Sequence, residues 1–168
     1  MIKIFNTLFV TMFGIGKLKR VPGTFGSLAT VIILYVCFHK LEINSNLIFF
    51  GLLIIFIYSF TAVTSFTKEK DDKDPGEIVI DEFIGQSIPI YLYEISHGTN
   101  KDPQEALIFY AICFILFRYF DIMKPFPVSY FDKKHKNSFG VIMDDVCAGL
   151  YVVLSLIFFM VLKSFILQ

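Results

Sequence analysis

One uncharged run restricts what this chain can fold into more than any other feature of its sequence. Residues 47–66 form 20 consecutive positions without a charged side chain, rich in Leu, Ile and Phe. As a helix rising about 1.5 Å per residue, the run is about 30 Å long, the thickness of a hydrocarbon core. The composition agrees, because only 18% of the residues are charged, against about 25% in soluble domains. The sequence therefore predicts a membrane protein.

Further apolar segments predict an all-α, polytopic membrane bundle formed by a single domain over residues 1–168. We expect about five membrane helices and an N-terminal helix at 2–13 that lies at the membrane interface or packs on the bundle. Segments 78–93 and 105–120 are shorter, so helices that only dip into the membrane are an alternative for them. A very apolar soluble helical protein is a second alternative. The expected spans are residues 24–38, 47–66, 78–93, 105–120 and 142–162.

The distribution of lysine and arginine predicts the orientation of this bundle. With these spans, 11 of the 15 basic residues fall on one side and 3 on the other, with Lys3 unassigned. Cytoplasmic loops are enriched in these residues, so the basic side is expected to face the cytoplasm. Four polar clusters fall at the same end, at residues 21–27, 81–85, 118–125 and 144–149.

Charge balance and cysteine spacing argue against other classes of protein. The 15 basic and 15 acidic residues give a formal net charge of zero, which argues against a nucleic-acid partner. The three cysteines are scattered through apolar segments, so neither a disulfide framework nor a zinc site is expected. Residues 68–74 and Glu77 are expected to form a solvated loop. We expect the three histidines to be isolated in loops and to have no role.

The residue types in the polar clusters suit a phosphate and a hard metal ion. Acidic residues in membrane helices need a cation, a metal or one another as partners, and are candidate functional groups. Oxygen-only ligands favour Mg²⁺, Mn²⁺ or Ca²⁺ over zinc, and basic side chains bind phosphoryl oxygens. A salt-bridged helix end is the simpler alternative for cluster 118–125. The candidate metal ligands are Asp81, Glu82, Asp121, Asp144 and Asp145, and the candidate cations are Arg118 and Lys124.

The turn before the first expected span adds candidate anion contacts. Thr24 or Ser27 can cap a helix, and a glycine such as Gly26 lets backbone N–H groups approach an anion. A plain helix start explains this turn equally well. The sequence has no P-loop and no Cys-x5-Arg loop. Phosphate chemistry here would therefore use carboxylate-held metal with cations on the phosphate.

Taken together, the four clusters resemble the phosphatidylglycerophosphatase A family of bacteria, in order and spacing, over roughly residues 13–160. The chain departs from that family at Ile80 and Phe126, where tryptophan is expected. The matching motifs are Pro22-Gly23-Thr24-x-Gly26-Ser27, Asp81-Glu82-Phe83-x-Gly85, Arg118-x-x-Asp121-x-x-Lys124-Pro125-x-Pro127 and Gly140-x-x-x-Asp144-Asp145-x-x-Ala148-Gly149.

The resemblance implies a Mg²⁺-dependent enzyme of the bacterial inner membrane that removes the terminal phosphate of phosphatidylglycerophosphate, a bilayer phospholipid. Its active site would face the cytoplasm. Two alternatives are a metal-dependent phosphatidyltransferase that uses an alcohol phosphate, and a metal-ion transporter. The transferase's longer acidic array and a transporter's internal repeat are both missing. The implied catalytic residues are Asp81, Asp121, Asp145, Arg118 and Lys124, and the implied phosphate contacts are Thr24, Gly26, Ser27, Arg118 and Lys124.

Overall fold

The chain forms a bundle of α-helices in the computed structural model, which describes residues 2–70, 72, 75–96 and 102–166. These residues contain a short 3₁₀ turn at Ile15–Lys17 and no β-strand, so the all-α prediction is confirmed. The helices are α1 (Ile2–Val10), α2 (Pro22–His39), α3 (Ser45–Thr67), α4 (Ile80–Ser96), α5 (Pro103–Met123), α6 (Val128–Lys134) and α7 (Ser138–Ile166).

Four of these helices, α2, α3, α5 and α7, are long and apolar enough to cross a membrane. The fifth expected span, α4, has only 17 residues and carries Asp81 and Glu82 in its first turn and Pro89 inside. It is shorter than the roughly 20 apolar residues of a typical crossing. Four of the about five expected spans therefore have the length and composition of a membrane crossing, and α4 fits the alternative of a shorter helix. More than half of α4 is buried, among α2, α3, α5 and α7.

Both ends of α5 follow directly from the local sequence. Asp102 caps its N-terminus by accepting the Gln104 N–H at 2.9 Å, and Pro103 occupies a first-turn position that needs no N–H. At the other end, Lys124 adopts a left-handed conformation (φ 44°) and donates its N–H to the Phe120 carbonyl. Pro125 then prevents further helix. The chain therefore turns sharply at Lys124.

Helices α4 and α7 touch through their backbones. A Cβ atom added at Gly149 would lie 2.3 Å from the carbonyl oxygen of Gly85, and one added at Gly85 would lie 2.4 Å from that of Asp145. Small residues allow such close approach between membrane helices. This contact sets the first turn of α4 beside the acidic pair of α7.

The short helix α1 packs on α3, where Tyr58 donates a hydrogen bond to Asn6 at 2.5 Å. Its last residue, Val10, accepts the Val79 N–H at 2.9 Å. The opposite face of α1 exposes Ile4 and other apolar side chains. The expectation that the N-terminal helix packs on the bundle is therefore confirmed, and its position at the membrane interface stays a prediction.

The end of the bundle far from the acidic pair holds a buried polar group. His39 of α2 pairs with Glu94 of α4 at 3.1 Å, and Tyr110 of α5 donates to the same Glu94 oxygen at 2.9 Å. The expectation that the histidines are isolated is therefore wrong for His39, which links α2 to α4. His135 contacts several aromatic rings. The third histidine, at position 97, lies outside the described residues.

Candidate active site

All four predicted polar clusters line one pocket of about 360 Å³ at one end of the bundle. The pocket lies between the first turns of α2 and α4, the last turn of α5 and the first half of α7. This arrangement agrees with the prediction that the clusters share one end. Eight of the ten predicted site residues line the pocket: Thr24, Asp81, Glu82, Arg118, Asp121, Lys124, Asp144 and Asp145.

The other two predicted residues, Ser27 and Gly26, do not line the pocket. Ser27 is buried, donates to the Gly23 carbonyl at 2.9 Å and accepts from Arg118 Nη1 at 3.3 Å. Gly26 packs on Val79, whose Cβ would lie 2.9 Å from a Cβ added at the glycine. Ser27 therefore helps to hold Arg118, and Gly26 allows α2 to approach the chain before α4.

Each cation of the pocket is held by carboxylates. Arg118 Nη1 lies 2.6 Å from Asp121 Oδ2, three residues later on α5. Lys124 Nζ lies 3.0 Å from Asp144 Oδ2 and also pairs with Asp132. Partial burial lowers the pKa of Lys124, but hydrogen bonds and charge from Asp132 and Asp144 outweigh it and raise that pKa above its ordinary value. Lys124 is therefore charged at neutral pH, as is any arginine.

Asp132, on α6, is a part of this arrangement that the sequence analysis missed. It directly precedes Lys133 and Lys134, a pattern that indicates a solvated basic helix end. Its partner Lys124 is eight residues away across the turn between α5 and α6. Helical spacing relates residues three or four positions apart, so it carried no signal for this pair.

Three carboxylates form an acidic centre in the pocket: Asp81, Glu82 and Asp145 each offer an oxygen within 4.8 Å of the others. Asp145 is 3% exposed and Asp81 is 7% exposed. Oε2 of Glu82 and Oδ1 of Asp145 have no hydrogen-bond partner among the described residues. Leaving a buried acceptor unpaired costs about 1–3 kcal/mol or more, and carboxylates this close repel one another when they are ionised. Hard oxygen donors with unused lone pairs fit a divalent cation such as Mg²⁺.

The start of α2 lies directly against Glu82. A Cβ atom added at Gly23 would lie 2.0 Å from Glu82 Oε1 and 3.4 Å from Arg118 Nη1. Because the N-terminal end of a helix carries partial positive charge, it favours the Glu82 carboxylate. Val21, which precedes the helix, has φ 43°, a conformation that β-branched residues rarely adopt.

A second polar cavity, of about 380 Å³, adjoins the pocket and shares Asp144 with it. It is bordered by α6 residues, by the segment that follows α6 and by Asp72 of the loop before α4. In the described part of that loop, Lys70 pairs with the exposed Glu77 at 3.1 Å, in agreement with a solvated surface. The pocket therefore has a polar neighbour on its α6 side.

The fold and the pocket together define a class of protein. The chain is an all-helical membrane protein. At one end of its membrane-length helices lies a pocket lined by both acidic and basic side chains. The family model for phosphatidylglycerophosphatase A matches residues 8–160. This chain belongs to the phosphatidylglycerophosphatase A family. The match begins within α1, earlier than the motif resemblance at residue 13.

Individual relatives support this assignment. A protein of Haemophilus influenzae named phosphatidylglycerophosphatase A is 37% identical over 147 residues, covering 88% of this chain and 83% of the relative. The protein of the same name from Escherichia coli is 32% identical and covers 84% and 76%. A Bacteroides thetaiotaomicron protein, provisionally named phosphatidylinositol-3-phosphatase, is 32% identical and covers 86% of each chain. No solved structure shows significant similarity.

Proposed function

We propose that this protein is a Mg²⁺-dependent phosphatidylglycerophosphate phosphatase that releases phosphatidylglycerol and inorganic phosphate. The observation that carries the proposal is the meeting of two cations, Arg118 and Lys124, with a buried acidic centre beside membrane-length helices. A phosphomonoester dianion needs cations, and a lipid needs a site that adjoins the membrane. The names of two relatives state this activity for those proteins.

The two cations would bind the nonbridging oxygens of the phosphomonoester. Their carboxylate partners hold them at the pocket wall, and this preorganisation favours a transition state with negative charge spread over the phosphoryl oxygens. Thr24 lines the same pocket at the start of α2, where its hydroxyl could donate to the phosphate. In the net reaction, water supplies the oxygen that ends in phosphate. The phosphorus–oxygen bond to glycerol breaks, and the glycerol oxygen takes a proton.

The acidic centre, Asp81, Glu82 and Asp145, would hold the metal ion. When bound, a divalent metal supplies Lewis-acid polarisation of a phosphoryl oxygen. The other two acids that were expected as ligands, Asp121 and Asp144, are engaged by Arg118 and Lys124. We therefore assign those two acids to holding the cations.

We further propose that the pocket faces the cytoplasm at the bacterial inner membrane. Lys3, which the sequence left unassigned, pairs with Glu69 at 2.6 Å at the pocket end and adds to the basic side. Lys73 and Lys101, both used in the charge count, lie outside the described residues. In a Cys37→Ser background, Lys133→Cys should react with an impermeant maleimide only after the membrane is opened. Labelling in intact spheroplasts would contradict this orientation.

Phosphate release from phosphatidylglycerophosphate in detergent micelles tests the proposed activity. We expect release with Mg²⁺, loss of release in EDTA and recovery when Mg²⁺ is restored. Release that continues in EDTA would overturn the metal assignment alone. No release by folded protein would overturn the phosphatase itself. Phosphatidic acid and phosphatidylinositol 3-phosphate serve as competing substrates, and equal rates on them would overturn the headgroup preference only.

A further inference from the structure

The rim of the pocket is apolar on one side. Among the described residues that line the pocket, the exposed ones are Val21, Gly76 and Ile122. Val21, at the start of α2, is 62% exposed, and Ile122, in the last turn of α5, is 69% exposed. The polar cavity adjoins the pocket elsewhere, at Asp144. The pocket therefore has an apolar edge at α2 and α5 and a polar edge at α6.

Each of these two rim residues begins an exposed apolar stripe. Positions three or four apart share one face of a helix, and α2 and α5 are in contact. Both stripes thus start at the same pocket and run into the membrane-length part of the bundle. The α2 stripe is Phe25, Leu28, Ile32 and Val36, and Val21 directly precedes this helix. The α5 stripe is Ile122, Tyr119, Ile115, Ile112 and Ile108.

The backbone at Val21 strengthens the case for its side chain. The residue has φ 43°, a left-handed conformation that favours glycine or asparagine and disfavours a β-branched residue. Strain of this kind costs about 1–3 kcal/mol and marks functional positions. An apolar side chain is nevertheless present there, 62% exposed at the mouth of a charged pocket. Contact with hydrocarbon explains this combination.

We propose that the lipid substrate enters the pocket laterally from the bilayer, between Val21 and Ile122. Its acyl chains then lie along the two stripes, while its phosphomonoester reaches Arg118 and Lys124. The occupant is a diacyl lipid with a phosphomonoester headgroup, because its anionic end matches the charged pocket and its two acyl chains match the two apolar faces. This inference rests on the proposed phosphatase function and adds the route of access and two rim residues that select for lipid.

The test separates lipid contact from phosphate chemistry by using two substrates. One is long-chain phosphatidylglycerophosphate in vesicles of phosphatidylethanolamine and phosphatidylglycerol, and the other is its deacylated, water-soluble headgroup. The variants are Val21→Asn, which tolerates the left-handed backbone, and Ile122→Gln. We expect the ratio of kcat/KM for lipid to kcat/KM for headgroup to fall about tenfold in each variant. The change should be in KM, because the contact is made in ground and transition states alike.

Neighbouring residues provide matched controls. Met123 is 62% exposed beside Ile122, and Leu18 is 46% exposed shortly before Val21, but neither lines the pocket. Met123→Gln and Leu18→Asn should therefore keep the ratio within about twofold of wild type. An equal fall in these controls would overturn the proposal, because it would indicate general membrane anchoring. An unchanged ratio in both rim variants, or equal loss on both substrates, would overturn it as well.

A second measurement keeps the proposal testable if the headgroup alone is a poor substrate. A phosphatidylglycerophosphate with a photoreactive acyl chain should crosslink to peptides that contain the two stripes, and excess unlabelled lipid should compete. Crosslinks confined to α3 or α7 would overturn entry between Val21 and Ile122 while leaving the phosphatase function intact. Wild-type protein that hydrolyses neither substrate would overturn the phosphatase function, and with it this inference.

Discussion

The carboxylate of Glu82 lies where a side chain at Gly23 would have to be, since an added Cβ would come within 2.0 Å of Glu82 Oε1. The backbone of Gly23 is not left-handed and would accept any residue. Glycine is therefore required here by the contact with Glu82 alone. The contacting atom belongs to the carboxylate at the end of the flexible Glu82 side chain, which can move aside. A methyl group at position 23 should therefore disturb the site without unfolding the helix.

We expect Gly23→Ala to lower kcat on phosphatidylglycerophosphate by about 10- to 100-fold, the range for lost support of a metal ligand. The melting temperature in detergent should change little. Micellar phosphate release and thermal unfolding measure the two quantities. Wild-type kcat in the alanine variant would contradict the proposed role of Glu82 in holding the metal ion.

The glycine contact between α4 and α7 predicts a loss of stability, unlike the contact at Gly23. In Gly149→Ala, the new methyl group would meet the backbone of Gly85, which cannot move aside. We expect a loss of about 1–3 kcal/mol in the free energy of unfolding, as for overpacked cores. Gly51→Ala on α3 is the matched control, because nothing lies within 4 Å of its added Cβ. The control should be neutral or more stable by up to about 1 kcal/mol. Equal melting temperatures of the two variants would contradict the close packing.

Removal of one acid should separate metal binding from folding. Asp145→Asn should lower kcat about a hundredfold or more. It should also raise the melting temperature without metal, because the buried centre then holds one ionisable group fewer. Mg²⁺ at 100 times its Kd should stabilise the wild type by about 2.7 kcal/mol and leave the variant unchanged. Glu105→Gln, an exposed residue of α5 far from the pocket, should behave as wild type. A variant that Mg²⁺ still stabilises fully would remove Asp145 from the metal site.

Substitution of Asp132 tests whether this carboxylate helps to position Lys124. In Asp132→Asn, Lys124 keeps Asp144 as a partner but loses the carboxylate on α6. We expect kcat to fall about tenfold, as for lost outer supports of a site. Asp132→Glu should recover much of this loss, because it restores the charge. Equal rates for wild type and the asparagine variant would show that Asp144 alone positions Lys124.

Some features could be predicted because their causes are local. A run of apolar residues long enough to cross a bilayer must form a helix there, since unpaired backbone groups are costly in lipid. The uncharged run 47–66 accordingly lies within α3, Ser45–Thr67. The same holds for the end of α5, where Pro125 follows Lys124. The expected spans placed the four clusters at one end, and the order and spacing of the clusters indicated the family.

Tertiary structure alone decided how the acids divide. Both Asp144 and Asp145 were expected to be metal ligands, but in the structure Asp144 pairs with Lys124 while Asp145 joins the acidic centre. Adjacent helical residues point about 100° apart, so their partners depend on the rotation and depth of α7 against its neighbours. Those quantities are set by packing such as the backbone contact of Gly85 with Gly149. Asp132 and the His39–Glu94 pair escaped prediction for the same reason, because each joins different helices across a distance that local periodicity does not encode.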